Sequence, residues 1–176
     1  MSDFFQYISL TICKKRRLSP FRITFGILIK RLYLTGGIAM NQEKSCGAVI
    51  VTKDIENPKV VLIKHQNGGH WAFPKGHVEG NETEEETALR EIMEETHLSV
   101  ELDTQFRHVV RYSPYKGTEK EVVYFIAYAN EQTILKQDEE VLASTWLSFS
   151  DALAQITYEN DQKILQAAID YLTEKN

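Results

Sequence analysis

Four glutamates, Glu82, Glu91, Glu94 and Glu95, stand at fixed offsets around one arginine, Arg90, inside the stretch GHVEGNETEEETALREIMEETHL (Gly76 to Leu98). On a helix each residue advances about 100°. With Leu89 at zero, Leu89, Ile92, Met93 and Thr96 fall within roughly 60° of that direction, which predicts the buried stripe. Glu91, Glu94 and Glu95 fall between about 140° and 240°, which predicts an opposed face of three converging carboxylates. Such a cluster repels itself unless a cation sits in it. Oxygen donors with no Cys or His among them favour magnesium, manganese or calcium over zinc. A solvated acidic face is the other reading of the same helix.

The spacing around the helix is more specific than its composition. The run reads Gly76, five residues, Glu82, seven residues, Arg90-Glu91, an apolar residue, any residue, Glu94-Glu95, any residue, His97 and the apolar Leu98. This resembles the Nudix box of the Nudix hydrolases, with Gly76, Glu82, Arg90, Glu91, Ile92, Glu94, Glu95 and Leu98 matching. The one departure is His97, where the family usually has glycine. Glycine adopts the left-handed conformation that ends many helices without penalty, while His accepts it at a cost of about 1 kcal/mol. The departure therefore bears on the helix end and not on the carboxylates.

The resemblance implies that Glu91, Glu94 and Glu95 hold divalent ions, Mg²⁺ first and Mn²⁺ as a second choice, with help from the carbonyl of Gly76. It also implies a further carboxylate from a later loop. Asp138-Glu139-Glu140 precede Trp146, and Glu140 is the choice made here, with either Glu95 or Glu140 as the base that takes a proton from water. A solvated acidic loop is the competing reading of that run. Arg90 is expected to orient a glutamate through a bidentate pair, with Glu82 in support. Phosphoanhydride hydrolysis asks for little else, namely charge neutralisation, a positioned water and a proton acceptor.

The flanks point to a substrate. Trp71-Ala72-Phe73-Pro74-Lys75-Gly76-His77-Val78-Glu79 is similar to the W-x-x-P-K-G-H-V-E run of the asymmetric diadenosine tetraphosphate hydrolases. Lys120-Glu121-Val122-Val123-Tyr124-Phe125 is similar to their later Lys-x-apolar-apolar-Tyr-aromatic strand. The resemblance spans about Ser45 to Leu172. It implies that Lys75 or Lys120 meets polyphosphate and that a tyrosine stacks on adenine. Tyr115 and Tyr124 are the candidate rings, Tyr112 reading as an ordinary strand aromatic, and His70 and His77 are candidate donors to phosphate. The implied reaction is diadenosine tetraphosphate to ATP and AMP. Alternatives are an RNA 5′ pyrophosphohydrolase, a nucleoside triphosphate pyrophosphatase, or a Nudix-fold nucleotide-binding regulator without catalysis.

The elements that must position these residues are legible around them. Cys46–Thr52 and Val60–Lys64 are β-branched runs split by a turn at Asp54–Pro58. Trp71–Gly76 reads as a short strand stopped by its proline. The helix opens at Asn81 or Thr83 with acids in its first turn. Leu102–Tyr112, Glu121–Ala129 and Trp146–Phe149 read as strands, Ser150–Gln155 as a capped helical turn. Asn160–Leu172 reads as a helix with Ile164, Ala167, Ala168 and Tyr171 as its apolar stripe. The order predicts a mixed sheet between helices, an α/β/α sandwich, which is also the fold the resemblance implies.

Composition bounds the rest. The chain has 176 residues and a net charge of −5. Residues 1–39 hold seven Lys/Arg against one acid, and residues 40–176 hold 13 against 24. An acidic body argues against non-specific nucleic-acid binding, leaving an RNA 5′ end as the exception. Cys13 and Cys46 do not make a disulfide framework, so a reducing cytoplasm is expected. In residues 1–39, the apolar runs Phe4–Cys13 and Ile23–Leu34 are too short to span a membrane. Three readings of that basic extension stay open: Met40 is the true start of the native protein, the segment is an amphipathic surface anchor, or it is a helical arm. The expected state is a monomer or homodimer.

Overall fold

The computed structural model describes residues 41–54, 56–137 and 139–175. The expectations for residues 1–39 lie outside them. Strand β1 (Asn41–Thr52) is the organising strand: from Ser45 to Thr52 every residue is buried, as befits a strand covered on both faces. It runs parallel to β6 (Thr118–Ala129), residue for residue from Asn41 opposite Thr118 to Thr52 opposite Ala129. It is also antiparallel to β2 (Lys59–His65) and to the short β4 (Lys75–His77). The main path is β3-β2-β1-β6-β5, with β3 (Trp71–Ala72) and β5 (Glu101–Tyr112) at its ends, and β7 (Val141–Ser148) pairs with β2. The turn at Asp54 is closed by its carboxylate, which accepts from the N–H groups of Glu56 and Asn57.

Alternation along β1 sends its side chains to two cores. Val49 and Val51 join Val60, Leu62, Phe73 and Tyr124 beneath α2 (Phe149–Gln155) and α3 (Glu159–Lys175). Ala48 and Ile50 join Val61, Ile63, Val123 and Phe125 beneath α1 (Glu84–Thr96). Helices thus cover both faces of a mixed sheet, and the α/β/α sandwich is the architecture. Strand β7 starts five residues before the expected Trp146 and ends at Ser148, whose hydroxyl caps α2 from outside. Among the described residues no helix is long and apolar enough to cross a bilayer.

Helix α1 departs from its expected orientation. It begins where Thr83 accepts from the Glu86 N–H while Glu86 accepts from the Thr83 N–H, a reciprocal capping box. It ends at His97 in the left-handed region, φ 54°. Between the caps, the buried residues are Thr87, Ala88, Glu91, Ile92, Glu95 and Thr96, while Leu89 and Met93 stay 41% and 45% exposed. The buried direction is rotated by roughly 100° from the expected stripe, which carries Glu91 and Glu95 inside. The sheet accepts this phase because Ala88 is small and Gly76, on β4, leaves room for the Glu91 carboxylate. A Cβ at Gly76 would run into that carboxylate.

Candidate active site

Arg90 is the hub of the carboxylate end. Its Nε and Nη2 donate to the two oxygens of Glu82 at 2.7 and 2.9 Å, a bidentate pair. Its Nη1 donates to Glu91 at 2.8 Å and Glu94 at 3.0 Å, and Nη2 also donates to the His77 carbonyl at 2.8 Å. One guanidinium therefore binds three glutamates and the β4 backbone. Hydrogen bonding to Arg90 brings the Glu82 carboxyl down to about 2, and Glu82 also accepts from the Thr87 hydroxyl. Glu91 moves the other way. Its burial outweighs the pull of Arg90 and raises it above the ordinary carboxylate range.

Glu95 is the least comfortable group in the cluster. It is 1% exposed, and one oxygen accepts from the Lys75 N–H at 2.8 Å. Desolvation pushes its carboxyl up to about 8, against the attraction of Lys75, and the charges of Glu91 and Glu140 push the same way. His65, which the sequence reading passed over, has Nδ1 4.0 Å from Glu95. Burial first, then Lys75, brings His65 down to about 3, so this ring is neutral. Glu140 is exposed, just ahead of β7, and its carbonyl accepts from the Gln66 N–H at 2.7 Å.

A cavity of about 870 Å³ reaches these carboxylates. Glu95, Glu140 and Gly76 line one part, and Lys75, His77 and Lys120 line another. His70, Tyr112, Tyr124, Tyr158, Asn160 and Asp161 are also among its walls. Lys120 is lowered by burial and by Lys75, and its Nζ lies 3.5 Å from His77 Nε2. His70 stacks on His65 with centroids 4.5 Å apart, and Tyr158 is tilted against His70 at 5.4 Å. The cavity therefore joins carboxylates, cations and aromatic rings in one space.

Neither expected ring stands free inside the cavity. Tyr124 is 1% exposed, packed edge-on to Phe73, and its hydroxyl donates to Asp161 at 3.0 Å. It reaches the cavity wall but has no open face to offer a base, because the even positions of β6 and the odd ones serve two cores. Tyr115 is exposed and does not line the cavity; its hydroxyl donates to Glu43 at 2.8 Å. Tyr112, read above as an ordinary strand aromatic, and Tyr158 line the cavity as well. Tyr158 immediately precedes α3, Asn160 and Asp161 lie in its first turn, and nothing local in the sequence says that this end shares a cavity with Lys75.

Glu91, Glu94, Glu95, Glu140 and the Gly76 carbonyl offer oxygen donors only, the donor type that a hard divalent cation takes. Two observations fit that: Glu91 lies in the space left by the missing Gly76 side chain, and Glu95 is buried with acids as neighbours. Among the described residues no His, Cys, Asp or Glu side chains converge into a ready-made cage. Arg90 holds Glu91 and Glu94 to itself.

The NUDIX domain model matches residues 44–168, from within β1 to Ala168 of α3. The chain belongs to the NUDIX family. It is a Nudix hydrolase, an enzyme of phosphoanhydride bonds, built as an α/β/α sandwich. It is 30% identical over 141 residues to the bis(5′-nucleosyl)-tetraphosphatase [asymmetrical] of Rattus norvegicus, covering 73% of this chain and 95% of the rat protein. It is 29% identical over 126 residues to the Caenorhabditis elegans protein of the same name, covering 70% of this chain and 91% of that one. The crystal structure of a C. elegans Ap4A hydrolase binary complex superposes with a TM-score of 0.69 at 26% identity, over 75% of this chain and 98% of that one.

Proposed function

We propose that this Nudix hydrolase cleaves a dinucleoside polyphosphate, diadenosine tetraphosphate giving ATP and AMP, with Mg²⁺ as cofactor and Mn²⁺ as an alternative. The observation that carries the reading is the composition of this cavity: the carboxylates Glu95 and Glu140 for a cation, Lys75, His77 and Lys120 for a phosphate chain, and Tyr112 and Tyr158 for a base. The named relatives support it. Glu91, Glu94, Glu95, the Gly76 carbonyl and Glu140 would hold the cation. Once bound, such an ion supplies phosphate charge neutralisation and a positioned water.

The chain's own part follows from its groups. Lys75 and Lys120 bind and orient the phosphates, and His77 can donate a hydrogen bond to them. Glu95 or Glu140, in its ionised form, takes the proton of the attacking water; the water oxygen bonds to phosphorus as the bridging P–O bond breaks and the leaving phosphate departs with that electron pair. Arg90 orients Glu91 and Glu94 and does not touch substrate. Glu82 fixes Arg90. A cytoplasmic setting belongs to this reading, since two cysteines make no disulfide framework.

The test is product analysis with magnesium over a panel holding diadenosine tetraphosphate, nucleoside triphosphates and a 5′-triphosphorylated oligonucleotide. Highest kcat/KM on the dinucleotide, with ATP and AMP released together, is expected. Faster turnover of the oligonucleotide would replace this substrate assignment with an RNA 5′ end. Glu94→Gln and Glu95→Gln should each abolish hydrolysis with the fold intact; near-normal turnover in both would remove the carboxylates from the chemistry.

A further inference from the structure

One carboxylate beside His77 and Lys120 belongs neither to α1 nor to the acidic loop. Glu43 projects from β1 and is the register partner of Lys120 on β6. Its Oε1 accepts from the Tyr115 hydroxyl at 2.8 Å, and its Oε2 lies 3.6 Å from His77 Nε2. The same His77 nitrogen is 3.5 Å from Lys120 Nζ. Four side chains from β1, β4, β6 and the β5–β6 connection thus form a continuous row, Tyr115, Glu43, His77, Lys120. The Glu43 side chain is only 23% exposed.

The chemistry of that row is that of an ion site already holding an anion. Tyr115 and His77 are donors, Lys120 is a cation, and Glu43 is the one acid among them. The β5–β6 connection is anchored beside it. Asn41 N–H donates to the Gly117 carbonyl at 2.8 Å and Thr118 N–H to the Tyr115 carbonyl at 3.2 Å, so Tyr115 is held where it can keep Glu43 in place. Hydrogen bonding to Tyr115, then the nearby His77 and Lys120, keeps the Glu43 carboxyl below its ordinary range despite some desolvation. It is therefore a full negative charge at neutral pH.

We propose that Glu43, held by Tyr115, is the resident counter-ion of Lys120 and the polar partner of His77, and that it competes with an incoming polyphosphate for both, so that it limits affinity for polyanions and hastens their release. This rests on the reading above that His77 and Lys120 meet the phosphate chain. A negative charge fixed within several ångströms of a bound phosphate opposes it in partly exposed surroundings, where removal is worth roughly a three- to tenfold change in affinity. The same charge gives the donors a partner when substrate is absent, which lowers the cost of an empty site with two neighbouring cations, Lys75 and Lys120. Affinity is thereby exchanged for turnover at high substrate, since binding substrate and transition state equally tightly does not raise kcat.

The experiment measures KM and kcat for diadenosine tetraphosphate, and the competitive inhibition constant of inorganic tripolyphosphate with magnesium in fixed excess. The proteins are the full chain, Glu43→Gln, Lys120→Gln and the double variant. The Gln side chain keeps an oxygen for Tyr115 and removes only the charge. Glu43→Gln should lower both KM and the inhibition constant by roughly three- to tenfold without raising kcat. Lys120→Gln should raise both constants, and the effect of Glu43→Gln should shrink toward unity in its presence. If Lys120→Gln weakens binding while Glu43→Gln weakens it too or leaves it unchanged, Glu43 is not a counter-ion and the substrate reading stands. If Lys120→Gln has no effect on either constant, the phosphate assignment of Lys120 fails and the proposal falls with it.

Discussion

At the scale of single residues, Glu95 carries the largest electrostatic burden of the site. Its folded carboxyl titrates at about 8 against an ordinary 4.5, with desolvation as the main cause. The folded state therefore holds this proton more tightly than the unfolded chain does. Stability from this group is complete below pH 4.5 and is lost as pH rises toward 8, the reverse of a carboxylate with a cationic partner. Without divalent cations, Glu95→Gln should accordingly be more stable than the parent at pH 8 by on the order of 2 kcal/mol, and nearly equal to it at pH 4.5. Urea denaturation at the two pH values in chelator measures this. Equal stability at both would mean that Glu95 is better solvated than its burial indicates. A group that weakens its own fold in this way is the pattern of a functional carboxylate.

Two glycines and a histidine decide matters at the scale of elements. Gly76 and Gly47 both sit where β4 approaches its neighbours, yet they differ in what a methyl group would meet. At Gly76 it meets the flexible end of Glu91, while at Gly47 it meets the backbone carbonyl of Pro74. Gly76→Ala should therefore cost about 1 kcal/mol in folding, with Glu91 swung away from Arg90 and hydrolysis down by roughly 100-fold. Gly47→Ala should cost the larger amount in a thermal melt, because backbone cannot move aside. The reverse order of stabilities would show that β4 itself yields.

His97 ends α1 at φ 54°, and its ring nitrogen Nδ1 lies 2.7 Å from the Leu135 carbonyl. The sequence alone favours glycine here for its freedom at positive φ. The structure adds a side-chain bond that glycine would lose, worth about 1 kcal/mol, comparable to the strain it offsets. His97→Gly should thus change stability by less than about 0.5 kcal/mol. It should speed amide exchange at Leu135, whose N–H donates to the Thr96 carbonyl. A clear stabilisation with unchanged exchange would mean that the ring bond contributes nothing.

For the whole molecule, the front of α1 is tied to the sheet by one glutamate. Glu84 accepts from Arg107 of β5 through both oxygens at 2.7 and 2.8 Å and from Lys44 of β1 at 2.6 Å, and Lys44 also meets Glu121 at 3.1 Å. Hydrogen bonding to Arg107, then Lys44, brings the Glu84 carboxyl down to about 2 against the opposing effect of burial. This depressed acid contributes stability above pH 4.5 and loses it as pH falls toward 2. Glu84→Gln should cost on the order of 1 kcal/mol at neutral pH, after discounting for partial exposure, and almost nothing near pH 2. A gap between the proteins that does not close in acid would show that the contact is worth its geometry and not its charge.

What the sequence determined by itself is what covalent spacing determines. Glu82, Arg90, Glu91, Glu94 and Glu95 lie within one helix and its leading loop, so their mutual reach follows from the helical repeat. The box, the family and the class of bond were readable for that reason. So was the sandwich, because β-branched runs and amphipathic runs alternate in the order that such a fold requires. The repeat fixes relative angles only. Which side of α1 turns inward depends on what the sheet presents, and the sheet presents Gly76 and a shallow floor over Ala48 and Ile50. That choice buried Glu91 and Glu95 and left Leu89 and Met93 outside. The base-binding wall was likewise decided by tertiary structure. Tyr124 is consumed by a core, Tyr115 by Glu43, and Tyr158 arrives from the far end of the chain, because contacts between elements dozens of residues apart leave no periodic trace in either one.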